Sequence, residues 1–302
     1  MEPFDYQQSA VDEIVARGRV YFKGQWRDPS IRIPPRFATL IAAPSGVGKS
    51  FIAGTAARLL DAKLVRLSAG SWMPMGARAT AVPETIPMLA EAIDKNERTL
   101  LAIDEICKIS STESHWLEHI RTEIFEILDF RWGQLKAPEN DIDNRNTAAS
   151  DAWRERITKK LRDNVFVLGI GTFQEFFDSG GQKTIGYGVS EVTNDIMPED
   201  IVKRLPRELL NRFNTSLIRI PDLQPHHYPQ IAKQAEGHLP ESMRVLFRDQ
   251  ALRRMDEAIR CKKGFRFVEE VVMEVLKIMP DDFLAPTVPT VLNSIDPFDL
   301  CI

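Results

Sequence analysis

Cysteine is scarce in this sequence. Only three occur among 302 residues, and Cys107, Cys261 and Cys301 lie far apart. Without any C-x-x-C pair, the chain has neither the common spacing of zinc ligands nor a disulfide framework. A reducing, cytoplasmic setting is therefore expected.

Long apolar runs and an excess of positive charge are also missing. The longest apolar stretches, such as 37–43 and 165–170, are far shorter than the ~20 residues of a membrane span. The formal net charge is −4, so no overall cationic field draws the chain to nucleic acid or to an anionic membrane. What remains is a soluble globular composition, 43% hydrophobic and 27% charged, with no membrane partner expected.

Strand and helix patterns alternate over the first 220 residues. Apolar strands are predicted at 37–43, 63–67, 99–103, 165–170 and 216–220, and helices at 7–18, 49–60, 86–94 and 113–129. The polar segment 131–151 predicts a long loop. Largely apolar strands separated by helices predict an α/β fold, a parallel sheet covered by helices on both faces.

The pattern changes after Pro221, beyond which only helices are predicted, at 229–237, 248–260 and 266–278. We therefore expect four parts. These are an N-terminal helix and linker (1–36), a large α/β domain (37–222), a small helical lid domain (223–280) and a C-terminal tail (281–302).

A glycine-containing segment, Ala43-Pro-Ser-Gly-Val-Gly-Lys-Ser50, lies between the first predicted strand and the next helix. It follows the P-loop pattern G-x-x-x-x-G-K-[S/T], with Ala43 in place of the first glycine. Glycines let backbone N–H groups turn toward a phosphate, the lysine can reach the β- and γ-phosphates, and the final hydroxyl can ligate Mg²⁺. The predicted ATP-binding residues are Pro44, Ser45, Gly46, Val47, Gly48, Lys49, Ser50 and Phe51, with Ser50 also a metal ligand.

A second motif, Leu100-Leu-Ala-Ile-Asp-Glu105, is an apolar strand that ends in two carboxylates. This is the Walker B arrangement. Asp104 is predicted to hold Mg²⁺, and Glu105 to orient and deprotonate the attacking water. Because both carboxylates are kept, the chain is predicted to be a Mg²⁺-dependent ATPase and not only an ATP-binding protein.

These motifs together resemble the AAA+ ATPases, and within that family the ClpX and HslU unfoldases. The segment 103–109, Ile-Asp-Glu-Ile-Cys-Lys-Ile, is similar to their IDEIDKI sequence. The resemblance implies a P-loop core with a C-terminal helical lid. It assigns the sensor-1 position to Thr172, the arginine finger to Arg212 within 205–213, and sensor 2 to Arg266 within 263–267.

Two of these arginines also have simpler interpretations. The alternative interpretation of Arg212 is a surface arginine at a helix end. Arg266 is explained by pairing with Glu269 or Glu270. The resemblance further implies a ring of identical subunits, most simply a hexamer, because the finger of one subunit completes the site of its neighbour.

Two loops are candidate contacts with partners. In the segment 71–77, Trp72, Met73 and Met75 correspond to the pore loop that grips polypeptide, although the Tyr-Val-Gly order of the family is not kept. These side chains are expected to be exposed; the alternative is that they pack beneath the loop. The tripeptide Ile185, Gly186 and Tyr187 stands where ClpX carries the loop that docks onto a peptidase, but is also compatible with a plain turn.

Three functions stay open on the sequence alone. The first is a ring motor that unfolds or remodels a protein client. The second is a regulator bound to nucleic acid, suggested by the basic run 154–162, whose simpler meaning is a solvated helix face. The third is an ATP-controlled platform on which an effector enzyme docks through 185–187.

Overall fold

The computed structural model describes residues 2–33, 35–76, 84–109, 115–132, 147–173, 205–213 and 217–279. The chain forms two compact units. The sheet unit comprises Pro3–Ala43 and Ile52–Ile220. The helical unit comprises Met1–Glu2, Pro44–Phe51 and Pro221–Ile302, so it also contains the glycine-containing loop of the P-loop motif.

The sheet unit is built on five parallel strands in the order β2-β3-β4-β1-β5. Their bounds are β1 (Thr39–Ala42), β2 (Lys63–Ser68), β3 (Thr99–Asp104), β4 (Val165–Gly171) and β5 (Ile218–Arg219). The central β3 and β4 are buried along almost their whole length, as expected for parallel strands covered on both faces. The predicted α/β fold is confirmed, and all carboxyl ends of the strands meet at one edge.

Six helices are described before Pro221: α1 (Asp5–Lys23), α2 (Lys49–Leu59), α3 (Thr85–Lys95), α4 (His115–Leu128), α5 (Thr147–Asn164) and α6 (Arg207–Leu210). The first residues of α2 belong to the helical unit, and the rest of these helices to the sheet unit. The start of α5 corrects the expectation that the whole of 131–151 is a loop. Trp153, Ile157 and Leu161, spaced four residues apart, are all buried. This apolar stripe packs α5 against the core of the sheet unit.

Helix α1 packs as part of the sheet unit. Val11 and Ile14 on this helix have no exposed surface. The Tyr21 hydroxyl donates a hydrogen bond to the carbonyl oxygen of Arg162 at 2.5 Å, and burial raises the pKa of that phenol. The N-terminal helix therefore contributes to the core beside α5.

The helical unit contains α7 (His227–Gly237), α8 (Glu241–Arg260) and α9 (Arg266–Ile278). Helix α8 begins earlier than the predicted 248 because Pro240, with φ −53°, directly precedes its first turn and Met243 extends its buried face. Phe247 and Val271 have no exposed surface and belong to the core of this unit. The predicted helical character after Pro221 is confirmed over the described residues.

In the part of the chain that the structure describes, no helix is both long enough and apolar enough to cross a membrane.

Candidate active site

The carboxyl edge of the sheet is where the predicted site residues of the sheet unit gather. The end of β1 is fixed on both sides: the Ala43 N–H donates to the Gly171 carbonyl at 3.1 Å, and the Ile220 N–H donates to the Ala42 carbonyl at 3.0 Å. The chain then continues from Pro44 into the P-loop. The loop thus leaves the carboxyl end of a strand that lies between β4 and β5.

The P-loop has the backbone conformation that its glycines allow. Gly46 and Gly48 have φ values of +80° and +84°, in the left-handed region that favours glycine. Helix α2 begins at Lys49, so its N–H groups and the positive end of its dipole face the loop. The Lys49 ammonium donates to the Pro44 carbonyl oxygen at 2.8 Å. The predicted phosphate-binding segment is therefore a compact turn that closes on itself and opens a helix.

The two carboxylates stand at the end of β3. Asp104 is the last residue of the strand, and its Oδ1 accepts the Glu105 N–H at 2.8 Å. Glu105 has φ +57°, a left-handed conformation that costs a non-glycine residue of the order of 1–3 kcal/mol. Such strain is common at active sites, where the surrounding structure holds a side chain in a required direction.

The Glu105 carboxylate is held by two side chains. The Lys108 ammonium lies 2.6 Å from Oε1, and the Ser68 hydroxyl donates to Oε2 at 2.8 Å. The hydrogen bond from Lys108 lowers the pKa of Glu105 most, burial opposes it, and the hydrogen bond from Ser68 lowers the pKa further, so that the pKa stays below its usual value. The carboxylate is therefore ionised at neutral pH, which a general base requires.

Sequence reasoning missed the residues that hold Glu105. Ser68 ends β2 and lies opposite Asp104 in the register of β2 and β3. Gly70 follows it, and a Cβ there would lie 2.6 Å from the Glu105 carboxylate. Part of this arrangement can be predicted from the sequence, because Lys108 lies three residues after Glu105. Ser68 ends the strand that precedes β3 in the chain. Without the strand order, nothing linked Ser68 to Glu105.

Thr172, the sensor-1 candidate, follows the end of β4 and is half-buried. Its Oγ1 lies 3.5 Å from the Sγ of Cys107, which belongs to the turn after Glu105. A Cβ at Gly171 would overlap the ring of Phe173, so the glycine lets that ring fold back beside the strand end. The structure thus brings Thr172 next to the segment that carries the two carboxylates.

Arg212, the finger candidate, lies just beyond α6 and is bound within its own subunit. Its Nε and Nη2 contact Oδ2 of Asp129 at 2.9 and 2.8 Å. Its Nη1 donates to the carbonyl oxygen of Glu208 at 2.8 Å, and its guanidinium lies 4.1 Å from the centre of the Phe125 ring. The side chain is 23% exposed. Sequence reasoning did not anticipate Asp129 as its partner.

Arg266, the sensor-2 candidate, is the first residue of α9 and is exposed. The preceding residue contacts the P-loop: the Phe265 N–H donates to the Gly46 carbonyl at 2.9 Å. The alternative pairing of Arg266 with Glu270 is not found among the described residues, since Glu270 lies 2.7 Å from Lys263. Arg266 thus begins α9 one residue after the backbone contact with the P-loop.

The expectation that Trp72 is exposed is wrong. Trp72 is 2% exposed, and its Nε1 donates to the Glu123 carboxylate at 2.6 Å. An indole in the core is stabilised by such a buried acceptor. Met73 and Met75 are half-buried, and Met75 packs against the core. The alternative interpretation, side chains packed beneath the loop, describes Trp72. The candidate docking residues Ile185, Gly186 and Tyr187 lie outside the described residues.

The donor set suits a magnesium ion bound together with a nucleotide. Asp104 at the end of β3 supplies a partly exposed carboxylate, a hard oxygen donor of the kind Mg²⁺ prefers, and Ser50 stays a predicted ligand. Across the described ranges, no group of three or more His, Cys, Asp or Glu side chains could hold a metal alone. Mg²⁺ takes few protein ligands and completes its shell with phosphates and water. Bound there, the ion would neutralise charge on the phosphates.

Comparison with known families identifies one segment of the chain. Residues 39–174 match the family model described as AAA, "ATPase family associated with various cellular activities". The match starts at β1 and ends just after Thr172, so it contains the P-loop, the two carboxylates and the sensor-1 candidate. This segment is an AAA ATPase domain, and the predicted ATPase activity is confirmed at that level. Arg212 and Arg266 lie beyond the matched segment.

Proposed function

We propose that the chain is one subunit of an ATP-driven ring, a hexamer as in ClpX, that unfolds or remodels a protein partner in a cytoplasmic setting. The observation that carries the proposal is the environment of Arg212. Its guanidinium contacts Asp129 and the Glu208 carbonyl, and among the described contacts it does not meet Asp104, Glu105 or Thr172. An arginine set apart from its own carboxylate cluster is suited to the site of a neighbouring copy.

In this proposal each residue has a separate part in hydrolysis. Glu105, kept ionised by Lys108 and Ser68, takes the proton of the attacking water. Lys49 binds the β- and γ-phosphates as a mobile charge. Arg212 of the adjacent subunit stabilises the charge of the transition state, which in related enzymes raises the rate by ~10³–10⁵.

The two remaining polar residues sense the γ-phosphate. Thr172, at the end of β4, presents a hydroxyl beside the catalytic segment. Arg266 starts α9 next to the residue that contacts the P-loop. Loss of the γ-phosphate would therefore change the contacts of Thr172, after β4, and of Arg266, at the start of α9. We infer that the second change moves the helical region during turnover.

The contact with a client is proposed for the loop 72–76, with revised roles. Trp72 anchors the loop, and Met73 and Met75 remain the candidate gripping residues. The loop backbone is held by the start of α3: the Met73 N–H donates to the Thr85 hydroxyl at 2.8 Å, and the Gly76 N–H donates to Glu84 at 2.8 Å. A loop fixed in this way moves with α3, as a pulling element must.

A trap variant tests this function. Glu105→Gln should bind ATP, hydrolyse it slowly and retain the client, which is then identified and its unfolding by the parent protein measured. Met73→Ser with Met75→Ser should abolish that unfolding while ATP turnover persists. Met88→Ser on α3, at a methionine that is 49% exposed, is the matched control. Unfolding that survives the double substitution would remove the gripping role.

Nucleic acid is the second candidate partner, and one groove favours it. Arg131, Arg154, Lys159 and Arg162 line a groove of about 790 Å³ together with Phe130 and Trp132. The groove is also lined by Asp151 and Glu155, and Arg154 and Arg162 already pair with Asp151 and Asp163. Arg156 and Lys160 of the same run bind Asp94, which lowers the pKa of that carboxyl. Salt-sensitive DNA binding in the presence of a slowly hydrolysed ATP analogue would support this candidate.

A further inference from the structure

The turn between α8 and α9 contacts the P-loop through backbone atoms. The Phe265 N–H donates to the Gly46 carbonyl at 2.9 Å. A Cβ at Gly46 would lie 2.9 Å from the Lys263 carbonyl oxygen, and one at Gly264 would overlap the Gly46 carbonyl oxygen. Both glycines have positive φ, +80° and +59°. The two segments are therefore so close that only glycine fits at either position.

This turn is held in place by helices α7 to α9, independently of the P-loop. The Gly264 N–H donates to the buried Tyr228 hydroxyl at 3.3 Å. Lys263 lies 3.0 Å from Glu257 and 2.7 Å from Glu270. The P-loop thus rests against an element whose own conformation is fixed by α7, α8 and α9.

The contact sets the direction of one peptide group in the P-loop. In a trans peptide the carbonyl and the following N–H point in opposite directions. Because the Gly46 carbonyl is bound by the turn, the Val47 N–H points away from it. Backbone N–H groups of this loop are the groups that bind phosphate in a P-loop.

We propose that the turn 263–265 positions the P-loop for phosphate, so that Gly264 and the Phe265 N–H are positioning residues for ATP and ADP binding. The proposal depends on nucleotide binding at the P-loop but not on the remodelling role. It also gives the helical unit a direct mechanical link to the phosphates. Helix α9 begins one residue beyond the contact, so a change in the loop reaches that helix without passing through a side chain.

Two variants at residue 265 isolate the hydrogen bond. Phe265 has φ −63°, which proline adopts. Phe265→Pro removes both the ring and the N–H, whereas Phe265→Ala removes the ring alone. In titrations with ADP, Phe265→Pro should bind about tenfold or more weakly than Phe265→Ala, the factor expected for one lost backbone hydrogen bond. The KM of Phe265→Pro for ATP should rise by a similar factor. If the substitution only reduced the fraction of folded protein, the apparent kcat would fall and KM would stay constant.

A second pair of variants decides the question if the proline variant does not fold. Gly264→Ala should weaken ADP binding about tenfold or more. Gly237→Ala is its control in the same unit, because no atom lies within 4 Å of the added methyl group. The proposal would be overturned if Phe265→Pro bound ADP as tightly as Phe265→Ala and Gly264→Ala bound it as tightly as Gly237→Ala. If the proline variant is unfolded, equal ADP affinity of the two glycine variants is enough to overturn it. A parent protein that binds no nucleotide would instead contradict the assignment of the P-loop itself.

Discussion

The guanidinium of Arg212 is bound to the carboxylate of Asp129, with both Nε and Nη2 on Oδ2. A second arginine, Arg36, reaches the other oxygen of that carboxylate at 3.6 Å and is about half exposed. Asp129 therefore has two cationic partners in different settings, and only one of them is proposed to act in hydrolysis. This pair provides a matched comparison for the role of Arg212.

Arg212→Ala is expected to lower ATP turnover by ~10³ or more, because the charge that stabilises the phosphoryl transition state is lost. Arg212→Lys should recover little of that activity, since an ammonium lacks the planar fork of a guanidinium. Arg36→Ala removes the other cation beside Asp129 and should leave turnover unchanged. Steady-state phosphate release compares the three variants, and equal rates for Arg212→Ala and Arg36→Ala would show that Arg212 is only a structural ion-pair partner.

Lys108→Met is expected to move the acid limb of the pH–rate profile to higher pH. The pKa of Glu105 is lowered in the folded chain, chiefly by Lys108, so activity that needs its carboxylate is lost only as the pH falls through that lowered value. Without the ammonium the pKa rises, and protonation begins at higher pH. The measurement is kcat/KM against pH. Lys95→Met, at a lysine paired with Glu91 on the surface, is the control; superimposable profiles would show that Lys108 does not tune Glu105.

Trp72→Phe should reduce the free energy of unfolding by about 1.5–3 kcal/mol, since it removes a hydrogen bond to a charged acceptor in a buried site. The other Glu123 oxygen would still accept the Met75 N–H. Denaturant unfolding measures the change, with Trp116→Phe, at a tryptophan that is 46% exposed, as the control. If Trp72→Phe cost no more stability than Trp116→Phe, the anchoring role of Trp72 in the loop would be wrong.

The sheet was predictable because its strands are short apolar runs separated by helices. All five strands of the structure lie within two residues of the predicted bounds at each end. Apolar spacing also located most helices. It did not predict α5, whose sequence is rich in charged residues and whose apolar stripe is narrow, although Trp153, Ile157 and Leu161 of that stripe are buried.

The candidate site was predictable only where its residues are contiguous in sequence. Two local motifs contain Gly46, Lys49, Asp104 and Glu105, so the chemical role of each residue can be predicted without knowledge of the fold. Ser68, which holds Glu105, is brought to it by strand pairing. The burial of Trp72 depends in the same way on Glu123, on a helix that the local sequence does not link to the loop.

The most direct test of the account mixes two inactive variants. Glu105→Gln keeps Arg212 but lacks the base, whereas Arg212→Ala keeps the base but lacks the finger. If Arg212 serves the site of a neighbouring copy, an equal mixture should regain about a quarter of parental turnover per subunit, the share of interfaces that combine an intact base with an intact finger in a symmetric ring. A mixture no more active than the average of its two components would show that Arg212 does not act across subunits, and would contradict the ring mechanism.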